Sequence, residues 1–113
     1  MQTIEIPTHE WVPFLNDFSK RHQGEPVTVE ISAGNAQTTL EEARAMPLVG
    51  VSVDLKEGER EQIEVLMGGR PRSDLMHAVT QPQRVLVERT ENGDDCVLRI
   101  DSEDGSCTVV KLQ

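Results

Sequence analysis

Two periods divide the chain. From Trp11 to His22 the apolar positions recur at helical spacing, with Trp11, Phe14, Leu15 and Phe18 on one stripe and His22 at its end. Thr8 is available as an N-cap. Pro13 can instead open the helix itself, because the first N–H groups of a helix have no intrahelical partner. Lys20, Arg21 and His22 suit the negative end of the helix before Gly24 stops it. Beyond Gly24 the period is two. Val27, Val29 and Ile31 alternate with Thr28, Glu30 and Ser32; Val49, Val51, Val53 and Leu55 alternate with Gly50, Ser52, Asp54 and Lys56; Ile63, Val65 and Met67 continue the pattern. One wet face per strand predicts antiparallel pairing, since parallel strands covered on both faces read as unbroken apolar runs.

The C-terminal third carries enough turn chemistry to set a register. With Asn92-Gly93 as a two-residue type I′ turn, Val87 falls opposite Leu98 and Val85 opposite Ile100. With Glu103-Asp104-Gly105 as a three-residue loop and Gly105 left-handed, Ile100 faces Thr108, Leu98 faces Val110 and Cys96 faces Leu112. The two turns, chosen independently, gather one apolar set on one face. Two stretches carry conflicting signals. Thr39-Leu40-Glu41-Glu42 reads as a capping box before a short helix ended by Pro47, or, after a Gly34-Asn35 turn, as a strand over 37–43; the strand is preferred. In 73–80, Leu75, His77 and Val79 alternate, whereas Asp74-Leu75-Met76-His77-Ala78 is good helix sequence. The pattern predicts a single α+β domain over 1–113. In it an N-terminal helix is followed by a mainly antiparallel sheet of seven or eight short strands, a small barrel or a curled open sheet with the helix over one opening.

At 113 residues, a domain of this size buries about two-thirds of its unfolded surface, enough for a core without staples. The start lacks a basic flank and an apolar stretch, and no run reaches the length that spans a bilayer, so a cytoplasmic protein without membrane contact is expected. A net charge of −9 repels phosphate backbones and argues against nucleic acid as a partner. The aromatics agree: Trp11, Phe14 and Phe18 all lie on the helix stripe, which leaves no platform on a strand for a base to stack on.

Candidate chemistry is sparse. The register puts Cys96 on the face of Leu98 and Ile100 and Cys107 on the other face, opposite Asp101, so two free thiols are expected, Cys96 in the core and Cys107 the more exposed. His9, His22 and His77 lack metal-ligand spacing, and no metal or cofactor is expected. His77 is either structural or a general base. Asp101, Glu103 and Asp104 before Gly105 form a turn rather than a calcium loop, because the glycine is a place early and no bidentate Glu follows. Gly68-Gly69-Arg70-Pro71-Arg72 sets two positive charges beside backbone that can approach an anion, or is simply a solvated loop, the preferred reading.

Several short elements occur in a telling order: Trp11 in the helix, Pro47-Leu48-Val49-Gly50 leading to Asp54, Ile63-Glu64-Val65, and His77-Ala78-Val79-Thr80-Gln81-Pro82 before the last meander. In that order and spacing the chain resembles, over nearly its whole length, a family of short bacterial proteins catalogued as a domain of unknown function. The resemblance implies no activity. Two departures stand out: Met76 precedes His77 where the family pattern leads to an Asp, and the loop from Gly68 to Ser73 is longer than usual. The leading functional expectation is a noncatalytic binding or accessory module of the bacterial cytoplasm, meeting a protein partner or itself through a sheet edge such as Thr108 to Leu112. The alternatives are a small-molecule or anion-binding barrel using Asp54, His77 and Arg70, and an enzyme with His77 as base and Asp54 as acid or orienter.

Overall fold

A computed structural model of the chain describes residues 2–32, 39–54, 62–68 and 75–112, the side chains of 39–43 excepted. In chain order the elements are β1 (Gln2–Ile6), a 3-10 turn (Thr8–Glu10), α1 (Trp11–His22), β2 (Pro26–Ser32), β3 (Thr39–Asp54), β4 (Gln62–Met67), β5 (Leu75–Thr80), β6 (Pro82–Arg89), β7 (Asp95–Ser102) and β8 (Cys107–Leu112). The strands form one antiparallel open sheet in the order β1-β6-β7-β8-β2-β3-β4-β5. The α+β reading holds, as does the alternation over 75–80. The expected Gly34-Asn35 turn and the loop bearing Arg70 lie outside the described residues.

Three expectations are corrected. A strand precedes the helix: Ile4 and Ile6 alternate with Thr3 and Glu5 over too short a stretch to announce it, and β1 forms only because β6 offers Val87 and Val85 as partners. The C-terminal strand is not an edge, since β8 is paired on both sides, by β7 and β2. Thr8 does not cap the helix. It opens the 3-10 turn, and α1 starts at Trp11 with Pro13 in its first turn, where a missing N–H costs nothing.

β3 is the hinge of the architecture. Its first part pairs with β2 as far as Pro47 opposite Pro26, and its second pairs with β4 from Leu48 to Asp54. Within the β2-paired part, at the bulge opposite Thr28 just before the change-over, Ala45 takes a left-handed φ of 50°, which a side chain tolerates poorly, and Thr28 Oγ1 accepts the Ala45 N–H at 3.3 Å. The strand therefore turns a corner, and the sheet folds back over itself. Val27, Val29, Val85, Val87, Leu98, Ile100 and Val110 face Ile63, Val65 and Met67 in one fully buried core.

Past the corner, β3 has lost β2 as a neighbour, and α1 takes that place. Ser19 Oγ accepts the Val51 N–H at 2.8 Å and lies 2.8 Å from the carbonyls of Val51 and Leu15. A Cβ at Gly50 would lie 3.5 Å from Ser19 Oγ, an ordinary contact, so the approach does not depend on glycine. Leu15 and Phe18 are fully buried, and the Trp11 indole donates to the Ile6 carbonyl at 2.9 Å, tying the helix to β1.

The β6–β7 hairpin reaches the expected register by an unexpected route. Thr90 N–H donates to Asp94 O, Gly93 N–H to Thr90 O, and Gly93 has φ 87°, a three-residue loop rather than the two-residue turn. Opposite the step from Arg89 to Glu88, β7 advances from Asp95 to Val97, so Cys96 is an extra, bulged residue. The bulge cancels the longer loop, leaving Val87 opposite Leu98 and Val85 opposite Ile100. It also takes Cys96 off the core row, and its side chain is only half-buried. In the β7–β8 hairpin Gly105 has φ 91°, with Ile100 opposite Thr108 and Leu98 opposite Val110 as expected, but the expected pair of Cys96 with Leu112 is not formed, the register ending at Val97 opposite Lys111.

Replacing Ser19 by Ala leaves the backbone groups of Val51 without their partner while sparing the packing. Urea unfolding is expected to show a loss of about 1–3 kcal/mol, with the m-value unchanged.

Candidate functional site

On the outer face of the larger part of the sheet, register lines up one side chain from each of four adjacent strands: Arg84 is opposite Asp101, Asp101 opposite Cys107, and Cys107 opposite Ser32. Arg99, two residues before Asp101 on β7, shares that face. Arg84 Nη2 donates to Asp101 Oδ2 and Arg99 Nε to Asp101 Oδ1, each at 2.9 Å. With Ser102 and the Gly105 turn these residues line a cavity of about 480 Å³. Glu103 N–H donates to Gln81 O, so the rim of the cavity is tied to the sharp β5–β6 corner, where Gln81 has φ 50°.

The charges in this cavity are mutually fixed. Burial alone would push the Asp101 carboxyl up, but hydrogen bonds from Arg99, Cys107 and Arg84 hold it below the usual carboxylate range. Cys107 moves the other way. Burial first, and then its hydrogen bond to Asp101, push the thiol above its ordinary value against the opposing charge of Arg99.

A second polar centre anchors the helix. The Asp95 side chain has no solvent exposure; Arg89 Nε donates to its Oδ1 at 2.8 Å, while Oδ2 meets His22 Nε2 at 2.8 Å and the Arg21 guanidinium. His22 Nδ1 lies 3.0 Å from Glu25, and Arg21 Nε donates to Asp17 at 2.7 Å. The Cys96 bulge makes this possible, because it places Asp95 opposite Arg89 on the helix-facing side. Burial would raise the Asp95 carboxyl, but the hydrogen bonds from His22, Arg89 and Arg21 outweigh it and hold the group low. The basic last turn read in the sequence thus meets a specific carboxylate. The network is structural.

Of the residues singled out in the sequence, His77 and Asp54 are not brought together. His77 lies opposite Val65, which lies opposite Val51, on the buried row of the sheet. Its Nε2 is 3.2 Å from Thr108 Oγ1, a contact across the fold between β5 and β8. Asp54 is opposite Gln62, one step along from half-buried Val53 and its fully buried partner Ile63, and so projects from the opposite face. Arg70 falls outside the described residues. Met76 also faces away from His77, so a carboxylate at that position would not meet the imidazole.

Arg84 and Arg99 are legible in the hairpin registers, whereas Ser32 joins them only through the non-local β2–β8 pairing. The two hairpin registers that set Cys107 opposite Asp101 also set Arg84 opposite Asp101, and Asp101 was grouped with the turn acids rather than with the strand.

Among the described residues no group of three His, Cys, Asp or Glu side chains is placed to hold a metal, and no helix is long and apolar enough to cross a membrane. The model of DUF5335, described as a family of unknown function, matches residues 2–113. No curated protein and no solved structure matches the chain significantly.

Because the carboxyls of Asp95 and Asp101 are held low in the folded state, their stabilisation is present in full above the unfolded value of about 3.9 and is lost as pH falls through the lowered folded values. Urea midpoints should therefore drop steeply below about pH 4. Asp95→Asn should cost about 2–3 kcal/mol at neutral pH, less than for a fully buried pair because its arginine partners are partly exposed, and should flatten the acid slope.

Proposed function

The chain belongs to DUF5335, a family of unknown function, and we propose that it is a noncatalytic binding module that holds a small anion in the Arg84–Arg99 cavity. One observation carries the reading: two guanidiniums converge on a single carboxylate in a cavity of about 480 Å³, on a protein whose net charge is −9. Asp101 sets one negative charge against the two positive charges of Arg84 and Arg99. It also holds the arginines together against their mutual repulsion, so the ordering of two long side chains is met before a ligand arrives. A guanidinium has five N–H donors, and Asp101 takes one from each. The remainder suit the oxygens of a carboxylate or phosphate, with the Ser32 and Ser102 side chains on the cavity wall.

The noncatalytic part of the reading is supported by the direction of both titrations. A carboxylate held below its usual range is a weak base near neutral pH, and a thiol pushed up is a weak nucleophile. Asp54 and His77, on opposite faces, take no part.

Thermal unfolding in the presence of inorganic phosphate, and separately of a small dicarboxylate, tests this. One of them should raise the melting temperature by several degrees at saturating concentration. The rise should vanish in Arg84→Gln and Arg99→Gln and persist in Lys111→Gln, whose ammonium is engaged with Glu30 on the same face. Flat melting curves with both anions, or an equal rise in all variants, would contradict the proposal.

A further inference from the structure

The open sheet ends on β5, and the backbone geometry there can be deduced strand by strand. Ser19 binds the N–H and touches the C=O of Val51, so the polar groups of Val51 point away from β4. In an antiparallel ladder the groups of its partner Val65 then point to β5, and those of His77, opposite Val65, point back to β4. The N–H and C=O groups of Met76, Ala78 and Thr80 are therefore directed outward, at the end of the described sheet.

This edge lacks the usual protection. Over Leu75–Thr80 there is no charged residue and no proline, and the pairing with β4 runs without a bulge. Of the large hydrophobic side chains exposed among the described residues, two are on it, Leu75 at 37% and Met76 at 53%. The opposite edge differs: β1 carries Glu5, its Ile6 carbonyl is occupied by the Trp11 indole, and Pro7 follows.

We propose that β5 is the interface of a homodimer, pairing antiparallel with β5 of a second copy about a two-fold axis at Ala78. The strand is complementary to itself in that register. Met76 of each copy lies opposite Thr80 of the other and Ala78 opposite Ala78, so every outward-directed backbone group on one strand meets one on its mate. His77 then lies opposite Val79, and no like-charged side chains within the strand are brought together. In a molecule of net charge −9, an uncharged strand is where two copies can approach without direct repulsion.

Light scattering and sedimentation velocity on the purified protein test the inference. The expected mass is twice the 12.6 kDa of the chain. Met76→Lys places a charge on the edge. Ala78→Pro removes an outward N–H that the β4 ladder does not use. Each is expected to give a folded monomer with unchanged circular dichroism, while Val12→Lys, at the exposed apolar position on α1, stays dimeric. A wild-type protein that remains monomeric at millimolar concentration would overturn the proposal. So would a dimer that survives in a folded edge variant, or one that Val12→Lys also dissociates.

Discussion

The fold depends on one strand serving two neighbours in succession. β3 pairs with β2 up to Pro47 and with β4 from Leu48 onward, and the sheet turns a corner there, with the left-handed Ala45 in the bulge two residues before the change-over. Without that corner Ile63, Val65 and Met67 would have nothing to pack against, and the molecule would be an extended sheet with two wet faces. The corner leaves the second part of β3 with an unpaired edge, and an unpaired backbone N–H away from water is costly. Ser19 meets that need. The position of α1 therefore follows from the corner as much as from the apolar stripe that buries Leu15 and Phe18.

Once the helix is held at Ser19, its last turn is held too. Arg21 and His22 reach Asp95 only because the Cys96 bulge delivers Asp95 to the helix side of β7, where Arg89 joins them. Among the described residues no buried side-chain nitrogen or oxygen lacks a partner. A partly satisfied network at Asp95 would be worse than an apolar substitute, and a complete one selects a single arrangement of helix on sheet. The outer face is thereby left free for a different use. The cavity of Arg84, Arg99, Asp101 and Cys107 stands on strands that the core below makes rigid, and a rigid base is what two arginines need to stay in register with one carboxylate.

Much of this was legible in the residues. The helix stripe, the period-two strands and the pairing of Val87 with Leu98 and of Leu98 with Val110 follow from local rules, and a two-residue turn predicts the observed β6–β7 register even though the loop has three residues, because the bulge at Cys96 restores the count. What was not legible is non-local. Gln2–Ile6 is too short to read as a strand until Val85 and Val87 are placed beside it. Ala45 carries no mark of a left-handed backbone, since glycine or asparagine would have signalled it and alanine does not. The candidate site as a whole is illegible for a different reason: it is made of ordinary arginines and serines rather than rare residue types such as His77, and they acquire meaning only when four strands are aligned.

Arg84 and Arg99 are proposed to form one anion site on the outer face. A nitrogen–proton correlation titration of the labelled protein with inorganic phosphate and with a small dicarboxylate reads it residue by residue. The account predicts saturable shifts, with at least one of the two, confined to the side-chain Nε–H groups of Arg84 and Arg99 and the backbone amides from Asp101 to Cys107. Shifts scattered over Lys20, Lys111 and the other surface cations without saturation, or no shift at the two arginines with either anion, would contradict it.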